Sequence, residues 1–209
     1  MRENGCAVKV SRAAFNLEQY MFGNDCRNWK RTRKKKYTIE MCKPKVGTRV
    51  TNVLEGSTYV VGDKERYFVL KGTVGETWAV DFNTIVKNYR LPNGNQELRH
   101  VLNKLINKYG VQGTFGYLRI ESIPAGNFVW ALHLPMTFRN VPIKTSWGDV
   151  LYANRDGVKH YGGDFLICSD MNGRPNLNDM WVVNGGVFRN TYDQRAFAAQ
   201  HVSNRRIAW

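Results

Sequence analysis

Runs of β-branched and aromatic residues, separated by glycine-containing turns, fill the region from residue 37 to residue 86. The runs cover residues 37–39, 48–51, 57–61, 67–70 and 76–80. Residues of these types favour strands, and the glycines between the runs are typical of tight turns. The pattern predicts a small antiparallel sheet or barrel in this part of the chain.

Apolar residues at helical spacing interrupt the strand pattern at two places. Ser11 is a candidate cap for a short helix that ends at Gly23. The most regular helix begins after a candidate cap at Asn95 and ends at Gly110, a residue type favoured at helix C-termini. Its apolar face is formed by Leu98, Val101, Leu102, Leu105, Ile106 and Tyr109.

A second β-rich stretch runs from residue 115 to about residue 192, and a last helix, capped by Asp193, is predicted over residues 195–201. We therefore expect an α+β fold, with two related small antiparallel β-rich modules joined by an amphipathic helix. The predicted divisions are an N-terminal helix and basic arm (1–36), a first module (37–94), the connecting helix (95–110) and a second module with the C-terminal helix (111–209).

The two β-rich stretches end with a similar sequence. At an offset of 103 residues, the tetrapeptide 78–81 (Trp-Ala-Val-Asp) aligns with 181–184 (Trp-Val-Val-Asn), and Tyr89 aligns with Tyr192. Two aromatic anchors eleven residues apart in both stretches favour a duplicated unit. Chance agreement of so few positions is the alternative.

The second stretch carries the residues of a family resemblance. Residues 147–151, 161–167, 179–183 and 187–193 resemble the small PGDYG-type proteins encoded by bacteriophages and their hosts, strongly over residues 136–193 and weakly over 45–90. The chain departs from that pattern at Gly162, where the family has Pro, and at Asp193, where it usually has Glu. The resemblance implies a phage-related origin and a fold. It implies no chemistry for particular residues.

Composition and charge narrow the classes of protein. The 209 residues are 43% hydrophobic and 12% aromatic, which suits packed domains rather than a disordered chain. No apolar run approaches the length of a transmembrane helix. We expect a protein without membrane association in the host cytoplasm, with the virion as the alternative. The four cysteines form no CxxC pair, so we expect no metal and no cofactor.

The net charge of +14 is concentrated near the N-terminus, where residues 1–50 hold 13 Lys and Arg against 4 Asp and Glu. Seven cations stand in ten positions, which we call the basic segment (residues 27–36): Arg27, Lys30, Arg31, Arg33, Lys34, Lys35 and Lys36. Such a block repels itself unless a polyanion or an acidic partner neutralises it. Trp29 and Tyr37, which flank the cations of residues 30–36, are candidates for stacking on bases. Arg205 and Arg206, near Trp209, form a second, smaller candidate site.

Motifs for catalysis are weak. The turn 72–76 lacks the Lys-Ser/Thr pair of a phosphate-binding loop. Cys168 with His160 or His133 could form a nucleophile and base, but Cys168 is more simply a strand residue. Three aspartates could form a metal-dependent nuclease cluster, yet each stands within two residues of a Gly or Asn in a predicted turn; they are Asp164, Asp170 and Asp179.

These observations favour a non-enzymatic, phage-type accessory protein that binds nucleic acid, or a nucleic-acid-containing host complex, through the basic segment. A specific form is an anti-defence inhibitor that resembles an anti-CRISPR protein in its action. One alternative is a virion or assembly protein whose basic arm faces the genome. The other is a nucleic-acid-processing enzyme with an unrecognised site.

Overall fold

The computed structural model describes residues 17–21, 23, 26–62, 67–92, 94, 97–110, 114–124 and 126–197. The strands in this part of the chain are β1 (Lys30–Thr32), β2 (Thr38–Lys43), β3 (Arg49–Asn52), β4 (Ser57–Val60), β5 (Tyr67–Lys71), β6 (Thr77–Asp81), β7 (Tyr89–Arg90), β8 (Phe115–Ser122), β9 (Val129–Leu134), β10 (Val141–Lys144), β11 (Val150–Ala153), β12 (Asp164–Met171) and β13 (Arg174–Val183). The helices are α1 (Phe82–Asn88), α2 (Leu98–Tyr109) and α3 (Gly185–Thr191).

This mainly antiparallel β structure with a few short helices agrees with the α+β class. The five predicted strand runs between residues 37 and 80 correspond to β2 to β6. Residues 17–21 and 23 are helical, whereas the candidate cap Ser11 lies outside the described residues. The turn over residues 195–197 is helical, and Asp193 Oδ1 accepts a hydrogen bond from Arg195 N (3.1 Å).

Helix α2 lies where the apolar spacing predicts it. It ends at Gly110, whose φ of 80° lies in the region that glycine adopts most readily. The predicted cap Asn95 lies outside the described residues, and Glu97 occupies the N-cap position without a side-chain cap bond. Leu98, Leu102 and Ile106 are buried, so the apolar face of α2 packs on the core as expected.

The sequence pattern misses the short helices α1 and α3. Each begins directly after a strand, at a residue whose side chain caps the helix. Asp81 accepts hydrogen bonds from Asn83 N and Thr84 N, and Asn184 accepts one from Gly186 N. Each helix has seven residues and ends at a tyrosine in extended conformation.

Two larger antiparallel sheets organise the molecule. The first sheet has the order β6-β5-β2-β8-β7, and the second has the order β13-β12-β9-β1. The hairpins β3-β4 and β10-β11 form two further two-stranded sheets. The predicted divisions do not follow these sheets, because β8, from the predicted second module, pairs with β2, and β1, from the predicted arm, pairs with β9.

The two larger sheets use their strands in the same way. β1 precedes β2 in the chain but pairs with β9, whereas β8 precedes β9 but pairs with β2. The tyrosine that ends each short helix extends the corresponding sheet. Tyr89 pairs with Ser122 next to β2, and Tyr192 forms a bridge with Lys34 next to β9. Each sheet is therefore completed by a strand from the other half of the chain.

Three apolar clusters form the core. One joins the first sheet to α1 and α2, around the fully buried side chains of Met41, Phe68 and Leu70. A second lies between β12 and α3, where the Phe165 and Phe188 rings stack at 3.7 Å between centroids. The third covers the other face of the second sheet with β10, β11 and the helical residues near Met21.

The segment 161–164 of the family resemblance forms a buried polar junction. Asp164 accepts hydrogen bonds from Asn154 N (2.8 Å), Gly185 N (3.1 Å) and His160 Nδ1 (2.8 Å). A Cβ atom on Gly163, whose φ is +123°, would lie 2.2 Å from the Leu134 carbonyl oxygen. The tight Gly-Gly-Asp turn and its buried carboxylate thus tie β11, β12 and the start of α3 together.

Candidate nucleic-acid interface

The basic segment is part of the second sheet, which corrects the expectation of a separate arm. In β1, Lys30 pairs with Ala131, Arg31 with Trp130 and Thr32 with Val129. After β1 the chain stays attached to α3, because Asp193 N donates to Arg33 O (3.0 Å) and Lys35 N donates to Thr191 O (2.9 Å). The sheet therefore holds the backbone of the cations in a defined path.

Most cations of the segment have exposed side chains: Arg27, Arg31, Arg33, Lys34, Lys35 and Lys36. Two of the seven pair with carboxylates, because Arg31 Nε lies 2.9 Å from Asp170 Oδ2 and Lys36 Nζ lies 2.8 Å from Glu121 Oε2. Within the described residues, no ion pair joins Arg27, Lys30, Arg33, Lys34 or Lys35 to a carboxylate.

Two of these five lysines and arginines donate to backbone carbonyls. Lys30 Nζ lies 3.2 Å from Arg27 O, and Lys35 Nζ lies 3.0 Å from Arg189 O. Such bonds leave the positive charge uncompensated, since a carbonyl carries no net charge. These side chains therefore remain available to phosphate groups.

Further charged groups surround the segment. Arg90 shares Glu121 with Lys36, at 3.5 Å, and Arg195 pairs with Asp193. Lys36, and then Arg90, hold the pKa of Glu121 below its ordinary value. Arg195 lowers the pKa of Asp193 to about 2, so both carboxylates stay ionised at neutral pH. The seven cations of the segment still outnumber the three carboxylates beside it, so its surface is positive. These carboxylates are Glu121, Asp170 and Asp193.

Phe128 forms an aromatic platform that the sequence pattern misses. Its side chain is 40% exposed, the Arg31 guanidinium lies 4.1 Å from the ring centroid, and that of Arg33 lies 5.8 Å away. These cation–π contacts orient two guanidinium groups. The signal is visible only after the pairing of β1 with β9 is known, because Phe128 directly precedes β9.

The stacking role expected for Trp29 is corrected. Its side chain is only 2% exposed, and its Nε1 donates to Met21 O (3.0 Å) in the core. Both faces of the indole are therefore covered by protein. Tyr37 is half-buried and hydrogen-bonded through its side chain to Tyr89. Arg205 and Arg206 lie outside the described residues.

The alternative catalytic residues occupy structural positions. Cys168 is fully buried in β12, and burial raises its pKa to about 12, so its reactive thiolate form is disfavoured. His160 bridges Asp164 and the Arg155 carbonyl. His133 contacts the Phe165 ring at 4.9 Å between centroids. None of these contacts joins Cys168 to either histidine.

The three candidate metal-binding aspartates also have separate partners. Asp164 binds His160, Asp170 binds Arg31, and Asp179 accepts a hydrogen bond from Ser146 Oγ (2.7 Å). In the described part of the chain, no three His, Cys, Asp or Glu side chains form a group suited to a metal ion. The helices of that part of the chain are too short or too polar to span a bilayer.

Comparison with known proteins adds no relative. No family model, curated protein or solved structure matches this chain.

Proposed function

We propose that this chain is a non-enzymatic accessory protein of phage type that binds the backbone of nucleic acid, free or within a host complex, through the basic segment. The observation that carries the proposal is the set of mostly exposed cations in residues 27–36, a segment that includes β1 at the edge of the second sheet. Most of these cations lack carboxylate partners among the described residues. Phosphate contacts of this kind give affinity without base readout.

Phe128 supports the same proposal. The Phe128 ring is 40% exposed, so an unpaired base can contact it beside the two guanidinium groups. Single-stranded nucleic acid combines both requirements, because its phosphates meet cations while its bases reach aromatic rings. We therefore expect single strands to bind more tightly than duplexes of equal length.

We also infer that the two larger sheets belong to related modules that exchange one strand each. Their strand orders correspond, and each contains a strand, a cap residue, a seven-residue helix and a tyrosine at an offset of 103 residues. The exchange of β1 and β8 places the basic segment on the edge of the second sheet.

The test is the salt dependence of binding to a fluorescently labelled 20-nucleotide single strand, measured by anisotropy. The variant R33Q/K34Q/K35Q/K36Q removes four cations, so the slope of log K against log salt should fall by about 3. The matched control is K87Q/R99Q/K104Q/K108Q, which removes four exposed cations from α1 and α2. Equal losses in both variants, or affinity that is flat with salt, would refute the proposal.

A more specific form of the proposal is an anti-defence inhibitor that occupies the guide or target channel of a host ribonucleoprotein. Purification of the tagged chain from infected cells, followed by mass spectrometry and sequencing of bound nucleic acid, tests it. Recovery of a defence complex is the expected result. Recovery at fixed copy number in purified virions instead would identify a structural role.

A further inference from the structure

A cavity of about 680 Å³ lies between the two larger sheets. Its walls come from both halves of the chain, with Ile39 and Trp78 on the first sheet and Trp181 on the second. The β3-β4 hairpin and the turn over residues 72–76 form further parts of the wall. The volume lies within the range that suits a drug-sized ligand or a cofactor.

The cavity is lined by aromatic side chains, which include Tyr37, Tyr59, Trp78, Tyr89, Trp181 and Tyr192. Trp78 and Trp181 are half-buried and stand at equivalent positions, eleven residues before Tyr89 and Tyr192. Burial raises the pKa of both tyrosines well above the ordinary value, so their phenols stay neutral. The wall therefore offers flat, uncharged faces suited to a planar ring.

One cation reaches this cavity from the basic segment. Lys34 has an exposed side chain yet lines the cavity, and its Nζ lies 5.8 Å from the Tyr192 ring centroid. It therefore stands at the mouth. Desolvation lowers the pKa of Lys34 below its ordinary value, and a bound anion would offset this cost.

The polar groups deeper inside are acceptors rather than cations. Glu76 is 7% exposed, and its Oε2 accepts a hydrogen bond from Val74 N (3.0 Å). Asp164 already accepts hydrogen bonds within the buried polar junction, including one from Gly185 N. Within the described residues, the buried Thr73 hydroxyl has no hydrogen-bond partner. Glu55 and Glu76, whose pKa values are raised by desolvation, add no positive charge to the wall but can accept hydrogen bonds from amino or hydroxyl groups.

This division of charge fits a ligand with a planar, donor-bearing ring and a separate anionic group. We propose that the cavity binds one nucleotide, with its base stacked on Trp78 or Trp181 and its phosphate at Lys34. The inference deepens the proposed function, since Lys34 belongs to the basic segment. The nucleotide is either free or an unstacked unit of a bound strand, and the two sources share the same chemistry.

Calorimetric titration with AMP, GMP, CMP and UMP tests the cavity directly. At least one should bind saturably with one site per chain, and W78F or W181F, whose smaller ring offers less stacking area, should weaken binding about two- to fivefold. The control W147F changes a tryptophan that is 58% exposed and outside the cavity wall, so it should leave binding unchanged. K34Q should reduce the preference for AMP over adenosine.

A second arm uses short oligonucleotides and ribose 5-phosphate. If the four mononucleotides do not bind but W78F or W181F weakens oligonucleotide binding relative to W147F, the nucleotide comes from a strand and the proposal stands. It is overturned if W78F and W181F affect neither ligand, or if ribose 5-phosphate binds as tightly as the nucleotides.

A third variant tests the role of the basic segment independently of the cavity. The variant K30Q/R33Q/K35Q keeps Lys34, so it should lose oligonucleotide affinity while retaining mononucleotide binding. Unchanged oligonucleotide affinity in this variant, with intact mononucleotide binding, would leave the cavity assignment standing and remove the basic segment from the function.

Discussion

Two connections occupy equivalent places in the two larger sheets and differ in charge. Residues 33–37 join β1 to β2 and contain four cations, whereas residues 123–128, which we call the uncharged connection, join β8 to β9. Their backbones make the same contacts. Lys35 N donates to Thr191 O at 2.9 Å, and Ile123 N donates to Asn88 O at 2.8 Å.

The difference in charge between the two connections shows that the fold does not require the cations. Lys34 and Ser122 stand at the same step of the two sheets, one beside Tyr192 and the other beside Tyr89. Ser122 completes its sheet without a positive charge, so the sheet needs no lysine there. Four adjacent cations instead destabilise the isolated chain by mutual repulsion. Their presence is therefore best explained by an anionic partner.

The two halves also differ in a buried polar group, and its removal should give the largest effect. Asp164 begins β12, whereas β5 begins with Tyr67. In D164A, His160 and two backbone N–H groups lose their buried acceptor, so the free energy of unfolding should fall by about 3–5 kcal/mol. Urea denaturation measures the loss.

The control for this variant is D179A, because Asp179 is only half-buried and accepts from an exposed serine. Its free energy of unfolding should change by less than about 1 kcal/mol. Equal losses in D164A and D179A would show that the buried junction does not distinguish the second half.

A double substitution can replace two cations of the first connection by the residues at the equivalent positions of the other half. K34S/K35I places the residues of Ser122 and Ile123 at the equivalent positions, where the backbone bonds are retained. Single-strand affinity should fall about 25-fold at 0.1 M salt through the loss of two phosphate contacts. Anisotropy measures the affinity, and urea denaturation should show unchanged stability within about 1 kcal/mol.

K104Q/K108Q provides a control with the same loss of charge on α2. If it weakens binding as much as K34S/K35I, affinity follows net charge alone and does not depend on the cations of residues 33–36. If K34S/K35I unfolds the chain, the cations serve the fold and our interpretation of the difference is wrong.

The smallest effects concern the two helix caps. D81A and N184A should each lower the free energy of unfolding by about 1 kcal/mol. The Thr84 hydroxyl, with backbone N–H groups, holds the pKa of Asp81 below its ordinary value of 3.8. The stabilisation by ionised Asp81 is therefore present above that value and lost as the pH falls through the lower, folded-state pKa.

The two caps differ in their response to pH because only Asp81 carries a titratable group. The difference between D81A and the unmodified chain should shrink when urea denaturation is repeated from pH 7 down to pH 2.5. The effect of N184A should stay constant, because an amide does not titrate. A cost of D81A that is independent of pH would contradict the role of its carboxylate in capping.

The strand runs and the position of α2 could be predicted from the sequence because they depend on local periodicity. It does not reveal α1 and α3, since the capping residues Asp81 and Asn184 start helices too short to show a repeat. The pairing of β1 with β9 and of β8 with β2 is also hidden, because pairing between distant strands leaves no local pattern. The predicted divisions therefore cut across both sheets.

For the candidate site, charge could be located from the sequence but burial could not. The cations of residues 27–36 are visible as a block, and most are exposed. Trp29 lies within that block yet packs into the core, whereas Phe128, about a hundred residues away, stands beneath Arg31. The residue type alone does not distinguish a buried aromatic ring from an exposed one that contacts the cations. That distinction follows from the register of β1 on β9.

Amide chemical-shift mapping during titration with a 20-nucleotide single strand shows which residues the nucleic acid contacts. We expect saturable, salt-sensitive shifts concentrated in residues 27–36 and at Phe128, with small shifts in the rest of the uncharged connection, residues 123–127. Shifts centred on residues 123–127 or on α2, or no shifts at concentrations that give binding by anisotropy, would contradict it.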